Sequence, residues 1–140
     1  MVDKYYLNRD TSAWNIDALK LNYDEVISIC TNKIDYLSLD LEPPATTYAC
    51  LQTMPFDRID FSIITYEHDF WRCGDEFRVK SRKLLTDCGY KIICADVLSF
   101  DNIIFEDWYY NPKYVDYNKI SHFECEGQKW QTILDRCLRC

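Results

Sequence analysis

Two short runs place titratable side chains directly after what read as buried strands. The first is Ile34-Asp35-Tyr36-Leu37-Ser38-Leu39-Asp40-Leu41-Glu42, followed at once by Pro43-Pro44. Asp40 and Glu42 fall where that strand stops. In an open α/β sheet, ligands bind in the crevice outside the carboxyl ends of the strands, so a strand ending Asp-x-Glu puts acids where chemistry is usually done. Acids also cap helices, because the amides and dipole at a helix start welcome negative charge. A second run, from about Phe61 to Tyr66, ends in Glu67-His68-Asp69. His68 is the natural proton acceptor of that trio at neutral pH, and its bland reading is a structural histidine bonded to a nearby acid. Further on, Glu106-Asp107-Trp108-Tyr109-Tyr110-Asn111 joins acids to flat rings. Such rings suit a sugar, and they equally suit aromatic packing at the end of a sheet.

These runs need elements to carry them. Asn22 can cap a helix, with Glu25 three places on completing a capping box and Tyr23, Val26, Ile27 and Cys30 on one face. The Ile34–Leu41 strand follows. Pro43-Pro44 suits the entry of a helix from Ala45 to Met54, with Tyr48 and Leu51 inward and Pro55 as the stop. After the Phe61–Tyr66 strand, Phe70 to Gly74 reads as a loop. Residues 76–88 form the clearest helix, with Phe77, Ser81, Leu84, Leu85 and Cys88 on one face and Gly89 as its C-terminal cap. Its Arg78, Lys80, Arg82 and Lys83 read as largely solvated. Strands from Lys91 to Val97 and from Ile103 to Trp108 pair through an antiparallel hairpin. Tyr109–Tyr117 is extended and kinked by Pro112, and a tail helix runs from Trp130 to Leu138. The order predicts an α/β fold with a mainly parallel sheet and an antiparallel C-terminal hairpin. Residues 1–21 read as a connector or edge cover, 22–118 as the α/β domain and 119–140 as a helical tail.

Composition narrows the function classes. The chain has 140 residues, 48% of them hydrophobic and 16% aromatic, which fits one globular domain with a proper core. Its net charge is −7. That argues against nonspecific binding to nucleic acid or an anionic membrane, both of which need a basic face. No apolar run approaches a membrane span, and the first residues lack a signal-peptide core, so a soluble cytoplasmic protein is expected. The eight cysteines lie partly in apolar periodic segments (Cys30, Cys50, Cys88, Cys94), which favours reduced thiols over a disulfide framework. The spacing of His122, Cys125, Cys137 and Cys140 superficially suits zinc. Cys137 falls on the apolar stripe of the tail helix, however, so buried or free thiols are the expectation.

The segment order and several of its words resemble the C-terminal half of FkbM-type, S-adenosylmethionine-dependent methyltransferases. The words are the Ile34–Glu42 run, Pro55-Phe56-Asp57, Ile64-Thr65-Tyr66-Glu67-His68-Asp69, Ser81-Arg82-Lys83-Leu84-Leu85 running to Gly89-Tyr90, and Glu106-Asp107-Trp108-Tyr109. They cover about residues 22–116. The family usually carries Asp-x-Glu-Gly at the first word; here Pro43-Pro44 replaces the glycine, and the motif's usual second glutamate has no clear counterpart.

The resemblance implies a partial Rossmann-like sheet, the fourth to seventh strands of seven, with the Ile34–Leu41 strand left at a bare edge. Residues 1–21, a second copy or a partner chain would cover that edge. It implies O-methyl transfer to a saccharide-like acceptor, with S-adenosylmethionine as the cofactor. Asp40 and Glu42 would orient the acceptor hydroxyl, and His68, or an acid such as Glu67, would take its proton. Asp69, Glu106, Asp107, Trp108, Tyr109 and Asn111 would form the acceptor wall. No metal is expected, although Asp40, Glu42, Glu67 and His68 together could make an oxygen-rich site. The family's glycine-rich cofactor loop belongs to its first half, and Gly74, Gly89 and Gly127 are too dispersed to replace it. Cofactor-binding residues therefore stay unassigned. A truncated, non-catalytic binding or assembly module is the alternative.

Overall fold

The computed structural model describes residues 22–29 and 32–138. The expected connector over residues 1–21, with its anchors Trp14, Ile16 and Leu19, lies outside them. In chain order the elements are α1 (Tyr23–Ile29), β1 (Lys33–Leu39), α2 (Pro44–Thr53), β2 (Asp60–Glu67), α3 (Phe70–Cys73) and α4 (Asp75–Asp87). There follow β3 (Lys91–Leu98), β4 (Ile104–Tyr110), α5 (Tyr117–Ile120), a 3₁₀ turn (Ser121–Phe123), β5 (Cys125–Glu126) and α6 (Trp130–Cys137).

The strands form one mixed sheet in the order β1-β2-β4-β3-β5. β1 pairs parallel with β2, β4 pairs antiparallel with both β2 and β3, and β5 pairs parallel with β3. Every strand except β4 therefore runs in one direction. The expected hairpin between β3 and β4 is present. It does not form an antiparallel end, because β4 inserts between β2 and β3 instead of lying outside them. β1 is an edge strand among the described residues, as the resemblance implies.

Local chemistry explains the turns that matter. Asn22 Oδ1 accepts from the Glu25 amide at 3.4 Å, so the expected cap of α1 forms. After β1 the chain turns sharply into α2, with Pro44 in the first helical turn, where its missing N–H costs nothing. The Thr47 hydroxyl secures that turn from inside, accepting from the Leu41 amide at 3.1 Å and donating to the Leu41 carbonyl. This fixes the path of Asp40-Leu41-Glu42.

Two cores share the sheet. Over one face, α2 and α4 bury Leu39, Cys50, Leu51, Ile64, Tyr66, Leu85 and Tyr109 in a single cluster. Over the other, α5, the 3₁₀ turn and α6 cover only the β3–β4 side, around Ile93, Cys94, Val97, Tyr110 and Ile133. Among the described residues no helix covers the β1–β2 part of this second face, and Tyr36 is 56% exposed there.

Several expectations need correction. Phe70–Cys73 is a short helix, not a loop. β4 continues through Tyr109 and Tyr110, both buried, so the extended stretch begins later than expected. Cys88 is exposed, while Cys50 and Cys94 are buried as expected. On α6 only Ile133 is buried; Trp130, Leu134 and Leu138 are exposed. The helix containing Arg78 and Arg82 does not present them to solvent: both lie against buried acids, as described next.

Candidate functional site

Side chains alternate between the two faces of a strand, and this alternation divides the predicted site. The open face carries Tyr36 and Ser38 of β1, Ile63 and Thr65 of β2, and Glu106 and Trp108 of β4; with Leu134 of α6 they line a cleft of about 380 Å³. Ser38 stands opposite Thr65, Thr65 opposite Trp108, and Glu67 opposite Glu106. Hence Glu67 continues the cleft row upward. The Tyr36 hydroxyl and Thr65 Oγ1 are 2.9 Å apart, forming a polar floor, and Trp108 Nε1 donates to Glu106 Oε1 at 2.6 Å.

Carboxylates gather at the top of this cleft, at the carboxyl ends of β1 and β2. The Glu67 carboxyl meets those of Asp40 and Asp69 at hydrogen-bonding range. Burial, and then the proximity of those two acids, push its pKa up to about 9, so it holds its proton at neutral pH and has that one O–H to donate to either of them. Burial likewise pushes Glu106 up to about 7; the Trp108 indole opposes the rise, and the charges of Asp40 and Asp107 add to it. A carboxyl poised near neutrality, lining a cleft beside an indole, has the attributes of a proton acceptor.

His68 points the other way. One residue beyond Glu67, it is buried completely on the face covered by the helices. Its Nε2 lies 3.6 Å from Asp107 Oδ1, beyond hydrogen-bond distance, and neither ring nitrogen has a partner. Asp107 is held from several sides. Arg82 Nε donates to its Oδ2 at 2.7 Å and Arg82 Nη2 to its Oδ1 at 2.8 Å. The Asp96 amide donates to Oδ1 at 2.8 Å and the Tyr109 hydroxyl to Oδ2 at 3.2 Å. Burial alone would raise the Asp107 pKa, but the Arg82 fork and the neighbouring His68 hold it well below the usual carboxylate range. Arg78 and Arg82 both bond Asp96 Oδ1, at 2.9 and 2.7 Å. Asp96 itself adopts the left-handed conformation (φ 52°) in an irregular stretch of β3, so the Asp107 side chain secures a bulge there.

Of the remaining predicted residues, only Asp69 stays beside Glu67. Glu42 is exposed and pairs with Arg72 at 2.6 Å. Asp69 is buried, with φ 47°, and accepts from Trp71 Nε1 at 3.0 Å. Tyr109 belongs to the core beneath α4. Asn111 stands at the far end of β4, where its amide bonds the Ser62 carbonyl at 2.9 Å and its Oδ1 accepts from Lys113 N at 3.0 Å. It shapes a turn. Asp40, Glu67, Asp69, Glu106 and Trp108 are thus brought together; Asp107 belongs to a separate buried network with His68 beside it, and Glu42 and Asn111 join neither.

Ser38, Thr65 and Tyr36 were missed as cleft residues. Their signal was available: polar side chains at every second position of an otherwise apolar strand mark one face of it. Arg78 and Arg82 were missed as well. They sit four apart on one helix face, and two acids, Asp96 and Asp107, lie inside largely apolar strands where an unpaired charge is rarely buried.

Neither implied group finds a ready cradle. An oxygen-rich metal site from Asp40, Glu42, Glu67 and His68 does not assemble, because His68 faces the opposite side and Glu42 is taken by Arg72. His68, Asp96 and Asp107 do place ligand atoms within 4.8 Å of one another. Both acids there are already claimed by Arg78 and Arg82, so a cation does not fit. As for S-adenosylmethionine, Gly74, Gly89 and Gly127 occupy separate turns, and a Cβ built on any of them would meet nothing within 4 Å. None is a close-approach glycine, and the described residues do not fit that group. The described cysteines, Cys125 and Cys137 included, are free thiols. Among the described residues no helix is long and apolar enough to cross a membrane. No family model matches the chain, and no curated protein or solved structure matches it either.

Proposed function

We propose that this chain supplies the acceptor side of an FkbM-type, S-adenosylmethionine-dependent O-methyl transfer, holding a saccharide-like acceptor in the open-face cleft. The observation that carries this reading is the convergence of Asp40, Glu67 and Glu106 from three adjacent strands above a floor of Tyr36, Thr65 and Trp108. Sugars are bound by aromatic faces and carboxylates together, and the parallel pair ends where α/β sheets place ligands. Glu106 takes the role first given to His68. The acceptor hydroxyl donates to Glu106, which receives the proton as the oxygen becomes nucleophilic and then releases it to water. Protonated Glu67 keeps Asp40 oriented toward a second hydroxyl. Catalysis on this side is mainly positioning.

Calorimetric titration with methyl glycosides, alone and with S-adenosylhomocysteine, tests this. The expected result is saturable glycoside binding that strengthens as pH rises through about 7, where Glu106 ionises. A folded sample that binds no glycoside sinks the reading.

Among the described residues β1 is the outermost strand of the sheet, and this position favours a second reading, an assembly module that adds a partner strand there. Concentration-dependent dimerisation, measured by sedimentation and abolished by a proline at Asp35, would support it.

A further inference from the structure

Beneath α6, next to the cleft, lies a second cavity of about 220 Å³, lined by apolar and thiol side chains that include Cys94, Ile120, Phe123 and Ile133. Ile63 and Trp108 border both spaces, and successive residues of α6 serve them: Leu134 the cleft, Ile133 the cavity. The polar groups stand at one end, Ser38, Thr65 and Glu106. At the other end no hydroxyl, amide or charged side chain enters the lining among the described residues. Empty apolar cavities of about 150 Å³ already take up a molecule the size of benzene. This one is larger and opens beside a polar cleft.

We propose that cleft and cavity form one amphipathic site, which takes a glycoside bearing an apolar aglycone, its sugar beside Glu106 and Trp108 and its tail under α6. The inference rests on the reading of the cleft as a sugar site and adds the chemistry of what is attached to the sugar. Trp108, with its indole N–H on Glu106 and its ring on the cavity wall, marks the boundary between the two halves.

A series of methyl, butyl, hexyl and octyl glucosides, each below its micelle concentration, tests this by calorimetry, with hexanol as the tail alone. Burial of each methylene tightens binding roughly three- to fourfold, so affinity climbs along the series until the tail outgrows the cavity. Ile120→Phe, which fills the cavity, should remove that climb and leave methyl glucoside binding unchanged. Cys137→Phe, at the cavity rim, is the second variant if the first does not fold. Equal affinity for all four glucosides, or a climb that both variants retain, overturns the inference and leaves the sugar site standing. Hexanol binding without any glucoside binding overturns it together with the proposed function.

Discussion

Replacing Glu106 by Gln removes an ionisable group from the cleft while keeping its shape and an oxygen for the Trp108 indole. The carboxyl's pKa is raised from 4.5 to about 7 by burial and by the charges of Asp40 and Asp107, against the pull of Trp108. A carboxyl with a raised pKa binds its proton more tightly in the folded chain. Its contribution to stability is therefore full below about pH 4.5 and is lost as pH rises through about 7. Each pKa unit corresponds to about 1.4 kcal/mol, so the whole shift amounts to about 3 kcal/mol. Residual solvent reduces this to about 2 kcal/mol. Glu106→Gln should consequently be more stable than the natural chain by about 2 kcal/mol at pH 8, and the gain should vanish by about pH 4.5. Urea unfolding followed by tryptophan fluorescence across that range measures the difference directly. Carboxylates out of reach of the Glu106 charge titrate alike in both chains and cancel. A difference that does not change with pH, or a variant less stable at pH 8, would refute the reasoning that places Glu106 in a partly desolvated, acid-rich cleft. Stability gained at a site that loses ligand binding is the expected trade-off of a functional residue.

Arg82→Met leaves Asp107 buried and without its fork, and should cost about 3–5 kcal/mol in urea unfolding; adding Asp107→Asn should restore more than half of that. Because Asp107 is held below the usual carboxylate range, its contribution is present at neutral pH and lost only as pH falls through its folded value, well under that of a free aspartate. Tyr66→Phe removes a buried hydroxyl that has no partner and should stabilise the chain by about 1 kcal/mol; destabilisation in a thermal melt would reveal a group bonded to that hydroxyl. Glu42→Gln breaks only an exposed pair with Arg72 and should change stability by less than about 0.5 kcal/mol and glycoside binding not at all.

The elements were largely legible because each is written in a local pattern. The helical spacing of Phe77, Ser81, Leu84 and Leu85 gives α4, and the β-branched run ending at Tyr66 gives β2. What a window of sequence does not carry is the partner. Ile104–Tyr110 reads as a strand on its own, but its place between β2 and β3 depends on pairing at both of its edges. The same limit split the site. Glu67, His68 and Asp69 look like one cluster along the chain, yet the alternation of the strand sends Glu67 to the cleft and His68 beneath the helices. Arg78 and Arg82 read as solvated because long basic side chains usually are. Here the acids that pair with them stand 14 to 25 residues away in sequence.

The most direct test of the central claim is to record the amide and indole NMR spectrum of the chain during titration with a methyl glycoside. The account predicts saturable shifts of the Trp108 indole N–H and of the amides of Ser38, Thr65 and Glu106, with His68 and Arg82 unmoved. Shifts centred on His68, Asp107 and Arg82, or no saturable shift at all, would contradict it.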